Sequence, residues 1–334
     1  MMNTGYSRPD NPGVDPLVWR QHAWRNRLHS LLLLAVMAGF LALLGWLLWG
    51  KSGLLILVST GVAAVFFNPA LSPWLVMRLY GARPLDRYSA PTLGDAVAHL
   101  AERAGLEFVP ALYYIPSPMP NAFAVGSPKR SAIAVTDGLL RRLSMRELVG
   151  VLAHETCHIR NNDLWVMGLA DLFSRGTSLL SLMGQFLLLL NLPLILFTDV
   201  TVSWSAILLL IFAPTLSALA QLALSRTREF DADLNAARLT GDPEGLALAL
   251  EKLERIQGGW LERIFLPGRR IPDPSLLRTH PDTAERIKRL MALKPRFGGD
   301  DFRRWPSEVD PEVALLLGRQ VRPSPRWHIT GLWH

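Results

Sequence analysis

Ala153-His154-Glu155-Thr156-Cys157-His158 is the stretch from which the rest of the chain can be read. On an α-helix the imidazoles of His154 and His158, at i and i+4, fall about 40° apart around the axis, so both can turn a nitrogen toward one metal ion. Glu155 follows the first histidine by one position. It would lie beside a water on such an ion without being a ligand, which is where a general base belongs. Two imidazoles at this spacing read as a zinc site, although a packed surface helix can carry the same letters by chance. The context favours the site: residues 145–152 form a helical lead-in, with Ser144 placed as N-cap and Glu147 three residues on to complete a capping box.

Outward from this motif the chain is unusually apolar. Of its 334 residues 50% are hydrophobic and the mean hydropathy is positive, which soluble proteins rarely show. Four stretches without Asp, Glu, Lys or Arg account for the excess: residues 30–49, 54–77, 178–197 and 202–224. Each is about long enough to span a bilayer. Pro69 and Pro73 interrupt the second, which also reads as a buried helix, and Gln185, Asn191 and Pro193 lie in the third, where a neighbouring helix must supply hydrogen bonds. The first run is too long, and too closely followed by the second, for a typical cleavable signal. Two membrane hairpins are expected.

Arg20, Arg25 and Arg27 precede the first span and Arg78, Arg83 and Arg87 follow the second, whereas the far turns hold only Lys51 and, near residues 197–202, no basic residue. The positive-inside rule places both termini and the motif on the cytoplasmic side of the cell's inner (plasma) membrane. The formal net charge of +7 then finds its partner in anionic lipid headgroups. Nucleic acid is not expected, because the sequence holds no recognition module. Cys157 is the single cysteine, so no intramolecular disulfide framework exists.

The expected organisation is a polar tail at 1–28, a first transmembrane hairpin at 29–78, and a first catalytic part at 79–176 holding a small sheet and the motif helix. A second hairpin at 177–224, a second catalytic part at 225–294 and a tail at 295–334 follow. A helix is predicted over 92–104 and strands over 107–115, 121–126 and 131–136. A continuation of the motif helix toward the third span is compatible with the sequence. Helices over 225–239, 245–256 and 282–293 complete the reading. The fold class is predominantly α, an integral membrane protein with four transmembrane helices and a cytoplasmic α+β domain built around the zinc motif.

A catalytic zinc usually has three protein ligands, and Glu229, five residues past the fourth span in Ser225-Arg226-Thr227-Arg228-Glu229-Phe230-Asp231-Ala232-Asp233, is the best third. Asp233, one helical turn on, is suited to accept a hydrogen bond from the outer nitrogen of a ligating histidine. The alternative is a pair of juxtamembrane charges on a solvated helix.

At this point the chain resembles the M48 family of membrane zinc metallopeptidases. Four stretches carry the resemblance: Asn121-Ala122-Phe123-Ala124-Val125-Gly126, the run from His154 to Asp163, the run from Ser225 to Ala237, and Thr279-His280-Pro281 followed by Glu285-Arg286-Ile287. The resemblance implies a gluzincin-type zinc metalloprotease domain, with one Zn2+ per chain held by His154, His158 and Glu229, Glu155 as base and Asp233 behind a ligand. It also implies that Asn121, Ala122, Phe123 and Ala124 belong to an edge strand along which a substrate peptide lies. His280 matches a histidine near the active site of relatives and is expected to stabilise the developing oxyanion; ordering of the loop before Pro281 is its other reading. Cys157 stands where relatives carry a small residue, and tight packing is its expected role. The expected activity is hydrolysis of peptide bonds, with misfolded or damaged membrane proteins as substrates. The alternatives are a prenyl-peptide protease of the same family and a non-catalytic membrane zinc-binding scaffold.

Overall fold

A computed structural model describes residues 16–67, 73–86, 89–197, 204–257 and 283–293. The chain begins with α1 (Pro16–Phe67) and the short α2 (Pro73–Leu79), then enters a mixed region of β1 (Arg83–Leu85), α3 (Pro91–Ala104), β2 (Ala111–Ile115), β3 (Ala122–Ser127) and β4 (Arg130–Thr136). The motif helix α5 (Met145–Arg160) follows the single turn α4 (Asp137–Leu140). Next come α6 (Asp163–Leu190), α7 (Leu192–Phe197), α8 (Trp204–Thr240) and α9 (Pro243–Gln257), and the described part ends with α10 (Thr283–Ala292).

The expected strands and the helix over 92–104 are present, and β1 is an addition that three residues interrupted by Pro84 do not announce. The sheet order is β1-β2-β4-β3, so β3 is an edge strand. It pairs antiparallel with β4, Ala122 facing Val135 and Ala124 facing Ile133. One face of the sheet packs Ala122, Ala124, Ile133 and Val135 against α3 and α5 in the main core. The other turns Phe123, Ala132 and Ala134 toward Val76 and Met77 of α2.

Three of the described helices are long and apolar enough to cross a membrane: residues Gln21–Ile56 of α1, α6 and α8. Within α1, Gly50 has non-helical torsions (φ 60°, ψ −142°). Residues eight apart on a straight helix are about 12 Å apart. A side chain on Gly53 would nonetheless collide with the Gly45 carbonyl oxygen and come 2.8 Å from Trp49 Cβ. The helix axis therefore folds back at Gly50.

α6 and α8 pair through a polar contact dictated by a proline. Pro214 lies inside α8 and has no N–H to offer the carbonyl four residues earlier, that of Leu210. The Ser181 hydroxyl donates to that carbonyl, and Gln185 Nε2 donates to it at 3.2 Å. Gln185 thus finds the neighbouring-helix partner that its place in an apolar run demands.

α8 is 37 residues long, about 55 Å against a hydrocarbon thickness of about 30 Å. Its last four turns therefore stand beyond the apolar layer, carrying buried Glu229 and Asp233 against α5.

Candidate active site

The motif helix is fixed at its start. Ser144 and Glu147 form the expected capping box, Ser144 N donating to Glu147 Oε2 at 2.8 Å, and Lys252 of α9 lies 2.7 Å from the other oxygen of that carboxylate. One turn later the helix meets α9 so closely that a Cβ on Gly150 would fall 2.9 Å from the Leu246 nitrogen. The next turn carries the chemistry. His154 and Glu155 are buried, wedged between β3 and α8.

His154 Nε2 and His158 Nε2 lie 3.0 Å apart. Glu229 Oε2 is 3.4 Å from the first and Glu229 Oε1 is 3.7 Å from the second. One donor atom from each of the three falls within 4.8 Å of the others. The outer nitrogens are both held: His154 Nδ1 lies 2.9 Å from Asp233 Oδ1 and His158 Nδ1 lies 2.8 Å from Asp163 Oδ2. Carboxylates at the Nδ1 positions keep the proton there and leave the Nε2 lone pairs directed into the cluster.

Two buried arginines complete the shell. Arg286 from α10 clasps Asp233 with Nε 2.7 Å from Oδ2 and Nη2 2.6 Å from Oδ1, and its Nη1 is 3.1 Å from Glu229 Oε2. Arg228 Nη1 donates to Asp163 Oδ1 at 3.1 Å. The buried carboxylates Glu155, Asp163, Glu229 and Asp233 outnumber the two guanidiniums of Arg228 and Arg286 that face them. Electrostatics report the same demand. Burial opposes a charged imidazole, yet Asp233 and Glu229 outweigh it and push the His154 pKa up to about 10. His158 is raised as well, burial again being overcome chiefly by Asp163. A divalent cation satisfies this demand in place of protons, so the residues present fit a metal ion.

Glu155 stands apart from the ligand set. Its Oε2 accepts a 2.8 Å hydrogen bond from Ala124 N. Thr136 N donates to Asn121 O, and in an antiparallel ladder such pairs alternate. Phe123 and Val125 therefore face β4, while Ala122, Ala124 and Gly126 direct their backbone groups to the free edge. Of the residues 121–124 expected along a substrate, Ala122 and Ala124 face the site. Phe123 turns its ring away, 5.2 Å from that of Tyr80, and Asn121 N is bound to Thr136 Oγ1 at 2.8 Å. Cys157 is wholly buried in the main core, in keeping with a packing role, and burial pushes its thiol pKa well up. His280 lies outside the described residues.

Sequence reasoning gave no role to Asp163, Arg228 or Arg286. Asp163 reaches His158 because Asn162 adopts a left-handed conformation (φ 56°), which breaks the helix between α5 and α6 where the sequence is also compatible with a continuous one. Asparagine tolerates that conformation better than most residues, so Asn161-Asn162 was the available signal. Arg286 stands in the Glu285-Arg286-Ile287 stretch of the resemblance, but nothing in that stretch announces its contact with Asp233.

A helix-borne His-Glu-x-x-His pair with a carboxylate from a second helix defines the class of metallohydrolases, here built onto apolar helices. The chain belongs to Peptidase family M48, whose family profile matches residues 88–294. Among its relatives are proteins named Protease HtpX homolog. One from Pelotomaculum thermopropionicum is 37% identical over 290 residues, covering 80% of this chain and 99% of the relative. Another, from Sulfurihydrogenibium sp., is 36% identical over 291 residues, covering 80% and 96%. The relative from Thermococcus sibiricus is 35% identical over 283 residues, covering 80% and 95%. The crystal structure of S. mikatae Ste24p aligns with 83% of this chain and 66% of its own, with a TM-score of 0.41 at 21% identity. Family, relatives and apolar helices together make this protein a membrane metalloprotease.

Proposed function

We propose that the protein is a zinc-dependent endopeptidase that hydrolyses extended segments of misfolded or damaged membrane proteins at the cytoplasmic surface of the inner membrane. The observation that carries this reading is the abutment of three parts. The His154, His158 and Glu229 donors converge, Glu155 stands beside them without joining them, and the same Glu155 carboxylate touches the free edge of β3 at Ala124.

Two imidazole nitrogens and one carboxylate suit zinc, with a position left open for chemistry. When bound, the ion supplies Lewis acidity, polarising the scissile carbonyl and lowering the pKa of water toward neutrality. Glu155 takes the proton of the attacking water and returns it to the leaving amine. Ala124 N–H holds that carboxylate in place from one side. Ala122 and Gly126 offer outward backbone groups to a peptide added as a further strand, which favours loose sequence preference over a side-chain code. His280 is assigned to the oxyanion, on the resemblance alone. The fold-back at Gly50 supports a first hairpin, and hence four membrane crossings in all. With Glu229 five residues past the apolar stretch, the centre lies near the membrane surface, where strands slipping from a damaged membrane protein are within reach.

The test is cleavage of an unfolded protein by the full-length chain purified in detergent, wild type beside Glu155→Gln, with zinc measured in both. The reading requires about one zinc in each and loss of cleavage by a factor of about 10³ or more in the variant. Equal cleavage by the variant overturns the role of Glu155, and the absence of zinc from both overturns the centre itself.

A further inference from the structure

Behind His158 runs a chain of buried polar contacts that leads out of the site and into the first apolar helix. Asp163 uses one oxygen for His158 Nδ1 at 2.8 Å and the other for Arg228 Nη1 at 3.1 Å. The other terminal nitrogen of the same guanidinium, Nη2, donates to Ser30 Oγ of α1 at 2.8 Å. Ser30 in turn spends its only hydroxyl proton on the Asn26 carbonyl at 2.9 Å, so toward Arg228 it can only accept. The links made by Ser30 and Arg228 each have one possible direction, and with Asp163 ionised the proton of the last link belongs to His158 Nδ1. The four side chains come from four helices, α1, α8, α6 and α5.

This arrangement is a poor way to stabilise a helix bundle. Ser30, Arg228 and Asp163 are all buried, and Arg228 Nε has no hydrogen-bond partner among the described residues. A buried ion pair with an unsatisfied N–H is commonly no better for stability than apolar side chains of the same volume. Immediately alongside, α1, α6 and α8 do pack in the apolar way, through Met37, Ala170, Ala220 and Leu224. The polar relay needs another reason, and the ring it ends on is a metal ligand.

We propose that Arg228 is a positioning residue that couples the seating of the first membrane helix to the metal affinity of the site: held by Ser30, it fixes Asp163, which fixes the His158 ring. The inference rests on the assignment of His158 as a ligand. It makes α1 more than an anchor. When α1 is docked, Ser30 locks the guanidinium and His158 presents Nε2 to the cluster. When α1 is displaced, Arg228 loses its second anchor, Asp163 is free to turn, and the site loosens.

The experiment measures metal affinity by chelator competition on the full-length chain in detergent, with Zn2+, together with the visible absorption of the Co2+-substituted protein. Arg228→Lys keeps the charge but cannot span Ser30 and Asp163 with one fork. Its zinc affinity is expected to fall about 10- to 100-fold, as for other partners behind a metal-bound histidine, and its cobalt bands to weaken or shift. Ser30→Ala removes one oxygen from a helix that still packs, and is expected to lower affinity about five-fold. Arg146→Gln, which breaks the 2.7 Å ion pair with Asp242 at the other end of α5, serves as the control: it lowers thermal stability with the affinity and cobalt spectrum of wild type. Unchanged affinity and spectrum in Ser30→Ala overturn the inference even if Arg228→Lys fails to fold. Equal loss of affinity in Arg146→Gln also overturns it, since any destabilisation would then suffice. Failure of the protease reading is distinguishable, because there the wild type itself would hold no zinc.

Discussion

Glu155 illustrates how much of the chemistry is set by single backbone atoms. Its carboxylate is held by the N–H of Ala124, an edge-strand donor that the β3–β4 ladder does not use. Ala124→Pro deletes that one donor at a position where proline is tolerated in sheets. Steady-state kinetics should show kcat reduced roughly 10-fold with zinc content unchanged; an undiminished kcat would mean that Ala124 does not position the base. At the opposite side of the cluster, Asp233→Asn leaves Arg286 buried without its forked partner. Loss of a buried partner costs about 3–5 kcal/mol, so a melting temperature close to wild type would contradict the clasp. His154, Glu155 and His158 were legible because helical periodicity alone brings them together, and Glu229 and Asp233 because one turn separates them on a helix joined to an apolar span. Asp163 was hidden behind the left-handed turn at Asn162. Arg286 lies 53 residues from Asp233, a distance over which pattern carries no information about contact.

At the scale of elements, α5 is the part most completely written in its own sequence: cap, box and motif all lie within 17 residues from Ser144 to Arg160. The Glu147 carboxylate has its pKa lowered from 4.5: burial alone would raise it, but Lys252 and Ser144 outweigh burial. A carboxylate with a depressed native pKa adds stability above its unfolded value, and that increment is lost as pH falls through the lower native one. Glu147→Gln keeps a side-chain acceptor for Ser144 N but loses the charge paired with Lys252, and should therefore be less stable than wild type at pH 7 by roughly 0.5–1 kcal/mol. The gap should narrow as the pH drops below about 4.5; a gap independent of pH would show that the charge on Glu147 contributes nothing. The α6–α8 contact follows another rule, that an apolar layer leaves no water for an orphaned carbonyl. Doubling Ser181→Ala with Gln185→Leu strands the Leu210 carbonyl freed by Pro214. Detergent melting should register a loss of roughly 1–2 kcal/mol, and no loss would show that the carbonyl finds another donor. Gln185 in an apolar run hinted at such a contact, but its partner on α8 required the packed bundle.

At the scale of the whole molecule, the described residues form a set of long apolar helices with a small mixed domain on one end. Trp46, Trp49 and Trp204 are exposed near the Gly50 fold-back and the start of α8, while Trp24 is exposed at the other end of the first apolar helix. Aromatic rings at both ends of a span mark the two interfaces of a bilayer. The basic residues cluster with Trp24, so the metal-bearing domain belongs to the cytoplasmic side in the proposed topology. Single cysteines at Lys51 and Arg78 test this in intact cells with a membrane-impermeant maleimide, Cys157 being buried. Lys51→Cys should label and Arg78→Cys should not; the reverse pattern would invert the topology, and labelling of both would remove the second crossing.

The proposed centre is tested most directly by zinc K-edge X-ray absorption on the full-length purified protein. The geometry predicts about one zinc per chain with two imidazole nitrogens and carboxylate or water oxygens at about 2.0–2.2 Å. A zinc–sulfur shell at about 2.3 Å, which only Cys157 or a methionine of this chain could supply, or a protein without zinc, would contradict the assignment of His154, His158 and Glu229.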